Sequence, residues 1–145
     1  MSCVNCSGAQ TYSGAASWFC CGPDGYDGYC GDYGSGACGD CDSPNWQCAW
    51  QTLDGYPTCY CSCPTGLSCG DCVIVDSPGP SCSWPSIEVH VADHGPGACS
   101  GCGNDCAGYC GRIIDLTPAA FAQLNDLSVG VISAGVATCC GCWGA

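Results

Sequence analysis

Apolar and polar positions alternate most regularly near the middle of the chain. In SIEVHVAD (86–93), Ile87, Val89 and Val91 recur at every second residue against Glu88 and His90. This is the period of a strand with one buried face. It predicts a strand over 86–93 that ends at Asp93, where HGPG cannot continue it. CVIV (72–75) is a short unbroken apolar run that fits a buried strand, and GRIID (111–115) and VGVISAGVA (129–137) predict two more. Between these last two the period changes. In LTPAAFAQLNDL, Thr117 can cap a helix with Pro118 at its first position, and Phe121, Leu124 and Leu127 would form its apolar face. Residues 1–72 have almost no apolar periodicity. They are rich in Gly, Cys, Asp and Tyr, which predicts loops and short strands, and CCGCWGA at the end predicts a bridged tail. The pattern describes an all-β chain with small α content, its one short helix following the strand that ends at Asp115.

Composition adds the means of holding such a chain together. Its 145 residues include 21 cysteines, a fraction well above the roughly 8–10 per cent that marks a disulfide scaffold. Disulfides persist in oxidising surroundings, so an extracellular, secreted protein is expected. The count is odd, so one cysteine is left over or pairs between chains, and the connectivity stays open. The length predicts a single domain over 1–145, its core spanning about 12–138, with disulfide-stapled N-terminal loops and a C-terminal tail. The opening MSCVNCSGAQ has neither the basic nor the apolar region of a signal peptide, which fits a mature form carrying an initiator Met. No apolar run reaches about 18 residues, so no membrane span is predicted.

Charge narrows the partner. The net charge is −12, and Arg112 is the only Lys or Arg. Nucleic acid is excluded, because its binding draws on Lys and Arg that neutralise phosphates, and anionic polymers are excluded for the same reason. A neutral polysaccharide fits. The chain is expected to be a monomer, with an interchain disulfide through the odd cysteine as the route to anything larger.

The cysteine clusters CVNC, CGDC (38–41 and 69–72), CYCSC and CSGC have spacings at which thiolates bind zinc. Five Trp and seven Tyr are unlike a metallothionein, so bridges are expected, with no metal and no other cofactor. Neither CGDC opens a helix, which argues against a thioredoxin-like role. The segment EVHVADHGP holds the chain's only glutamate, Glu88, both histidines, His90 and His94, and Asp93. On a strand, 88 and 90 point one way while 93 and 94 lie past the turn, so four-fold metal ligation is not expected. A catalytic or substrate-binding acid and a solvated strand end both remain open. Asp115 precedes a helix start, where the helix dipole lowers a carboxyl pKa. A general acid there needs burial or a second carboxylate to reverse that sign. Trp18, Trp46, Trp50 and Trp84 fall in Gly-, Pro- and Cys-rich segments, where large rings either cover disulfides or stack on sugar faces. Asn5, in NCS, matches a glycosylation acceptor.

Taken in order, GACGDC, TGLSCGDCVIV, SIEVHVADHGP and RIIDLTPAAFAQLNDLSVGVISAGV resemble the double-psi β-barrel domain of expansins and rare-lipoprotein-A-type proteins, over roughly residues 36–136. ASWFCC (16–21) is similar to the opening strand of family-45 endoglucanases, with Phe19 standing where that family's catalytic base would be. The resemblance implies a six-stranded double-psi barrel. It makes Asp115 the general acid of the endoglucanases and the essential acid of expansins, and Asp93 a second acid of the groove. The early glutamate and histidine of the lipoprotein-A-type transglycosylases have no counterpart, since neither SGE nor AAH occurs.

The function expected on these grounds is hydrolysis of β-1,4-glucan by an inverting pair, Asp115 as acid and Asp93 as base. Trp18, Tyr33, Trp46, Trp50, Trp84, His90 and His94 would line the substrate site. Paired carboxylates flanking a glycosidic bond protonate the leaving oxygen and activate water. The alternative is a non-hydrolytic, expansin-like glucan-binding or wall-loosening protein, favoured by Phe19. A third expectation is a structural protein cross-linked by disulfides.

Overall fold

The computed structural model describes residues 11–54, 66–77, 86–95 and 112–138. Asn5, Trp84, the C-terminal tail and the CVNC, CYCSC and CSGC clusters lie outside them. Six strands form a closed barrel: β1 (Thr11–Trp18), β2 (Gln47–Trp50), β3 (Cys72–Asp76), β4 (Ser86–His94), β5 (Arg112–Leu116) and β6 (Val131–Ala137). Around the barrel they run β1-β5-β2-β4-β3-β6. β1 pairs with β5 and β2 with β4 in parallel, while the other four pairings are antiparallel. This is a double-psi barrel, all-β with little helix. Among the described residues no helix is long and apolar enough to cross a membrane.

The alternation expected in β4 is present through Val91. Ile87, Val89 and Val91 are buried in the core, Glu88 is half-buried and His90 is exposed. β2 has no alternation at all, because all four of its residues are buried. Cys48 and Trp50 face the barrel core, whereas Ala49 stands outside that cluster. β1 gains its place through small residues. Gly14, Ala15 and Ala16 let it fit between β5 and β6, with Ala16 fully buried.

The helix is shorter than its periodicity predicts. α1 covers only Pro118–Phe121, with all four residues buried, and Leu127 opens a separate 3-10 turn, Leu127–Val129. Thr117 holds the N-cap position, but its hydroxyl does not cap the helix. It donates to the Asn45 carbonyl and accepts the Gln47 N–H at 3.1 Å, tying α1 to the start of β2. Phe121 then packs into the barrel core. A helix of one turn has too few internal hydrogen bonds to stand alone, so its stability comes from this packing.

Three disulfides hold the described loops: Cys20–Cys30, Cys21–Cys41 and Cys38–Cys69. Loop-closing bridges of this kind contribute about 2–4 kcal/mol each. The two CGDC copies are joined through their first cysteines, and Cys41 pairs with Cys21. Neither arrangement is a metal-binding CxxC. The Cys21–Cys41 bridge, with Ala92 and Phe19, forms a small second apolar cluster separate from the barrel core.

Candidate functional site

Strand register brings the two sequence-predicted acids into one row. Ser17 on β1 pairs with Asp115 on β5, Asp115 pairs with Ala49 on β2, and Ala49 pairs with Asp93 on β4. Paired residues on adjacent strands project to the same face of a sheet. The row Ser17–Asp115–Ala49–Asp93 therefore crosses four neighbouring strands, on the face opposite to Cys48 and Leu116. The two aspartates are two inter-strand spacings apart, about 9–10 Å between Cα atoms, with the small side chain of Ala49 between them.

Asp93 reaches this face through an irregularity. Strict alternation from Ile87, Val89 and Val91 would turn residue 93 into the core. The β2–β4 register shifts between Cys48 and Ala49, so that Cys48 faces Val91 but Ala49 faces Asp93, and Ala92 is the extra residue. A bulge re-aims the side chains that follow it. Ala92 packs against Phe19 and the Cys21–Cys41 bridge, and Asp93 turns towards the 36–38 loop. There its Oδ1 accepts the N–H groups of Ala37 and His94, both at 2.8 Å. The Cys38 N–H donates to the Ala92 carbonyl at 3.1 Å, and the Cys38–Cys69 bridge anchors the same loop. Gly36, with φ +75°, passes so close that a Cβ there would sit 2.9 Å from the Asp93 carboxyl carbon.

Asp115 has a different environment. Its Oδ1 accepts one hydrogen bond, from Ser17 Oγ at 3.0 Å. Burial lifts its pKa to about 6, while the Ser17 bond and the Arg112 guanidinium pull it down and Asp93 adds a small upward push. The short helix that follows does not reverse this, so burial decides the sign. On the other face of β2, burial pushes the Cys48 thiol well above its usual range, helped by Asp115 and Cys72.

The aromatic candidates divide. Trp50 is wholly buried and edge-on to Tyr12, ring centroids 6.3 Å apart. It is a core residue and presents no face to a sugar, which corrects its assignment as a stacking platform. Trp18 is half-buried: its Nε1–H donates to the Leu127 carbonyl at 2.9 Å, and Tyr29 meets it edge-on. Its polar group thus ties β1 to the 3-10 turn, while its ring is engaged by Tyr29. Tyr33 and Trp46 are exposed. Trp46 borders an open depression of about 450 Å³ together with Asp40, Asn45, Gln47, Gly70, Glu88 and His90. His94 is half-buried, its Nε2 lying 3.1 Å from the Gln51 carbonyl, so the two histidines have separate surroundings. Sequence reasoning missed Ser17, Ala49 and Phe19's contact with Ala92. The β1–β5, β2–β5 and β2–β4 pairings bring these residues to the acids, and no local pattern encodes such pairings.

No protein-family model and no curated protein matches the sequence. Among solved structures the chain is similar to the Streptomyces papain inhibitor, at 24% identity and a TM-score of 0.48, covering 88% of this chain and 92% of that one. It is also similar to an aspartate-to-asparagine mutant of Clavibacter michiganensis expansin in complex with cellohexaose, at 18% identity and a TM-score of 0.51. That match covers 90% of this chain and 50% of the expansin chain, so this chain spans half the length of that relative. The second likeness establishes the fold: this chain has the barrel architecture of an expansin domain.

Proposed function

We propose that this chain is a secreted, non-hydrolytic protein of expansin type that binds neutral β-1,4-glucan and loosens its packing. The observation that carries the reading is the environment of the acid row. Asp115 is held in a carboxyl site that titrates near 6, while Phe19, which the sequence resemblance alone would set at an endoglucanase base position, packs as an apolar ring against Ala92 beside Asp93. The second carboxylate of the row, Asp93, is engaged through Oδ1 by the Ala37 and His94 N–H groups, which supports a loop anchor rather than a base working opposite Asp115. The cellohexaose in the expansin neighbour supports glucan as the ligand, and the net charge of −12 supports a neutral one. Below about pH 6 a protonated Asp115 both donates and accepts hydrogen bonds to sugar hydroxyls. Above it, covering the carboxylate with a sugar costs desolvation. Tyr29, Tyr33 and Trp46 have exposed rings among the described residues, and since Tyr29 is engaged with Trp18, Tyr33 and Trp46 are the ones suited to stacking.

The hydrolytic reading has one observation in its favour. A carboxyl titrating near 6 suits a general acid at mildly acidic pH, and Asp93 stands two strands away. Filter-paper weakening measured beside reducing-end release separates the two. The proposal expects weakening without new reducing ends, and weaker glucan retention in Trp46→Ala. New reducing ends that disappear in Asp115→Asn would replace it with the hydrolase.

A further inference from the structure

The antiparallel β3–β4 pair carries a second constellation that the acid row does not use. Cys72 lies directly opposite His90, and Ile74 lies opposite Glu88. Glu88 is two residues before His90 on the same strand, so both project to one face. The Cys72 thiol, the Glu88 carboxylate and the His90 imidazole place one donor atom each within 4.8 Å of one another. Glu88 and His90 also border the depression that Trp46, Asp40, Asn45 and Gln47 complete.

We propose that Cys72, Glu88 and His90 form a binding site for a divalent transition-metal ion, Zn²⁺ being the type, with a fourth coordination position facing this depression. A sulfur, a nitrogen and an oxygen donor are the three ligand types zinc takes, and three protein ligands with an open position are the pattern of an accessible site. Tetrahedral zinc requires donor separations of about 3.3–3.8 Å, given bond lengths near 2.0–2.3 Å. Donor atoms that lie within 4.8 Å of one another need to draw in by about 1 Å to reach that spacing. A net charge of −12 concentrates cations around the protein. Binding displaces the Cys72 proton, so affinity rises with pH. The site is separate from Asp115 and Asp93, and its existence does not depend on the glucan reading.

The test is titration of the full-length, metal-stripped protein with Zn²⁺ by calorimetry, and with Co²⁺ by absorption. The expected result is one ion per chain and a thiolate-to-cobalt charge-transfer band in the near ultraviolet. His90 is exposed, so His90→Ala retains the fold and is expected to lower affinity at least about 100-fold, the scale of a disrupted coordination sphere. Cys72→Ser is expected to abolish the cobalt band, and Glu88→Gln to weaken binding with the band retained. Zn²⁺ affinity that is absent, or unchanged in His90→Ala, would overturn the proposal. So would peptide mapping that finds Cys72 in a disulfide.

Discussion

The ends of β5 and β4 carry the same side chain in one row, in surroundings that give it opposite roles. Asp93 is an acceptor for two backbone N–H groups and fastens the 36–38 loop to the barrel. Asp115 is half-buried with a single hydroxyl donor, and desolvation raises its pKa to about 6. A carboxylate that backbone donors satisfy contributes to the fold, while one that is desolvated and under-solvated by its neighbours opposes folding when ionised. Function in this barrel is expected at the end that the fold leaves poorly satisfied.

The comparison predicts effects of opposite sign. Asp93→Ala leaves the Ala37 and His94 N–H groups without their acceptor, at about 1–3 kcal/mol for each group that water cannot reach. A lower urea midpoint, with the loss of order in the 36–38 loop visible by hydrogen exchange, is the expected outcome. Asp115→Asn acts the other way. Its folded pKa lies above its ordinary value, so the ionised form costs stability fully above about pH 6, and the cost fades as pH falls from about 6 towards 3.8. At pH 8 the asparagine variant is expected to be more stable than the native protein by up to about 3 kcal/mol, at 1.36 kcal/mol per pKa unit. At pH 3.5 the two should unfold alike. Equal urea midpoints at pH 8 would remove the distinction between the two acids.

Gly36→Ala sharpens the Asp93 side. A residue at φ +75° costs about 1–2 kcal/mol once it carries a Cβ, and the close approach to Asp93 adds to that. Combined with Asp93→Ala, the second substitution is expected to add less than it does alone, because both act on one contact. The smallest effect is that of Ser17→Ala, which removes the hydrogen bond that lowers the Asp115 pKa. The Asp115 carboxyl resonance is then expected to titrate above its native midpoint of about 6.

Much of the barrel was legible in the sequence because four of its strands carry their own pattern. β4 alternates, β3 and β6 are apolar runs, and β5 ends in RIID before a proline-marked turn. β2 was not legible: its four residues are buried throughout, and a segment that short has no period to detect. β1 was hidden by Gly and Ala, which pack well but score weakly as strand. The helix was overestimated because Leu124 and Leu127 keep a helical spacing although the chain leaves the helix after Phe121. At the site, the strand end placed Asp93 near the right position for an incomplete reason. Continued alternation would have buried it, and the bulge at Ala92 turns it out. Trp50 was misplaced because a tryptophan between Cys, Ala and Gln looks like a loop residue until β2 is known to lie across the barrel core.

The most direct measurement follows cellohexaose incubated with the protein from pH 4 to pH 8, recording binding and oligosaccharide length together. The account predicts binding that strengthens as pH falls through about 6, loss of that pH dependence in Asp115→Asn, and a hexasaccharide of unchanged mass throughout. Shortened oligosaccharides from the native protein, absent with Asp115→Asn, would contradict it.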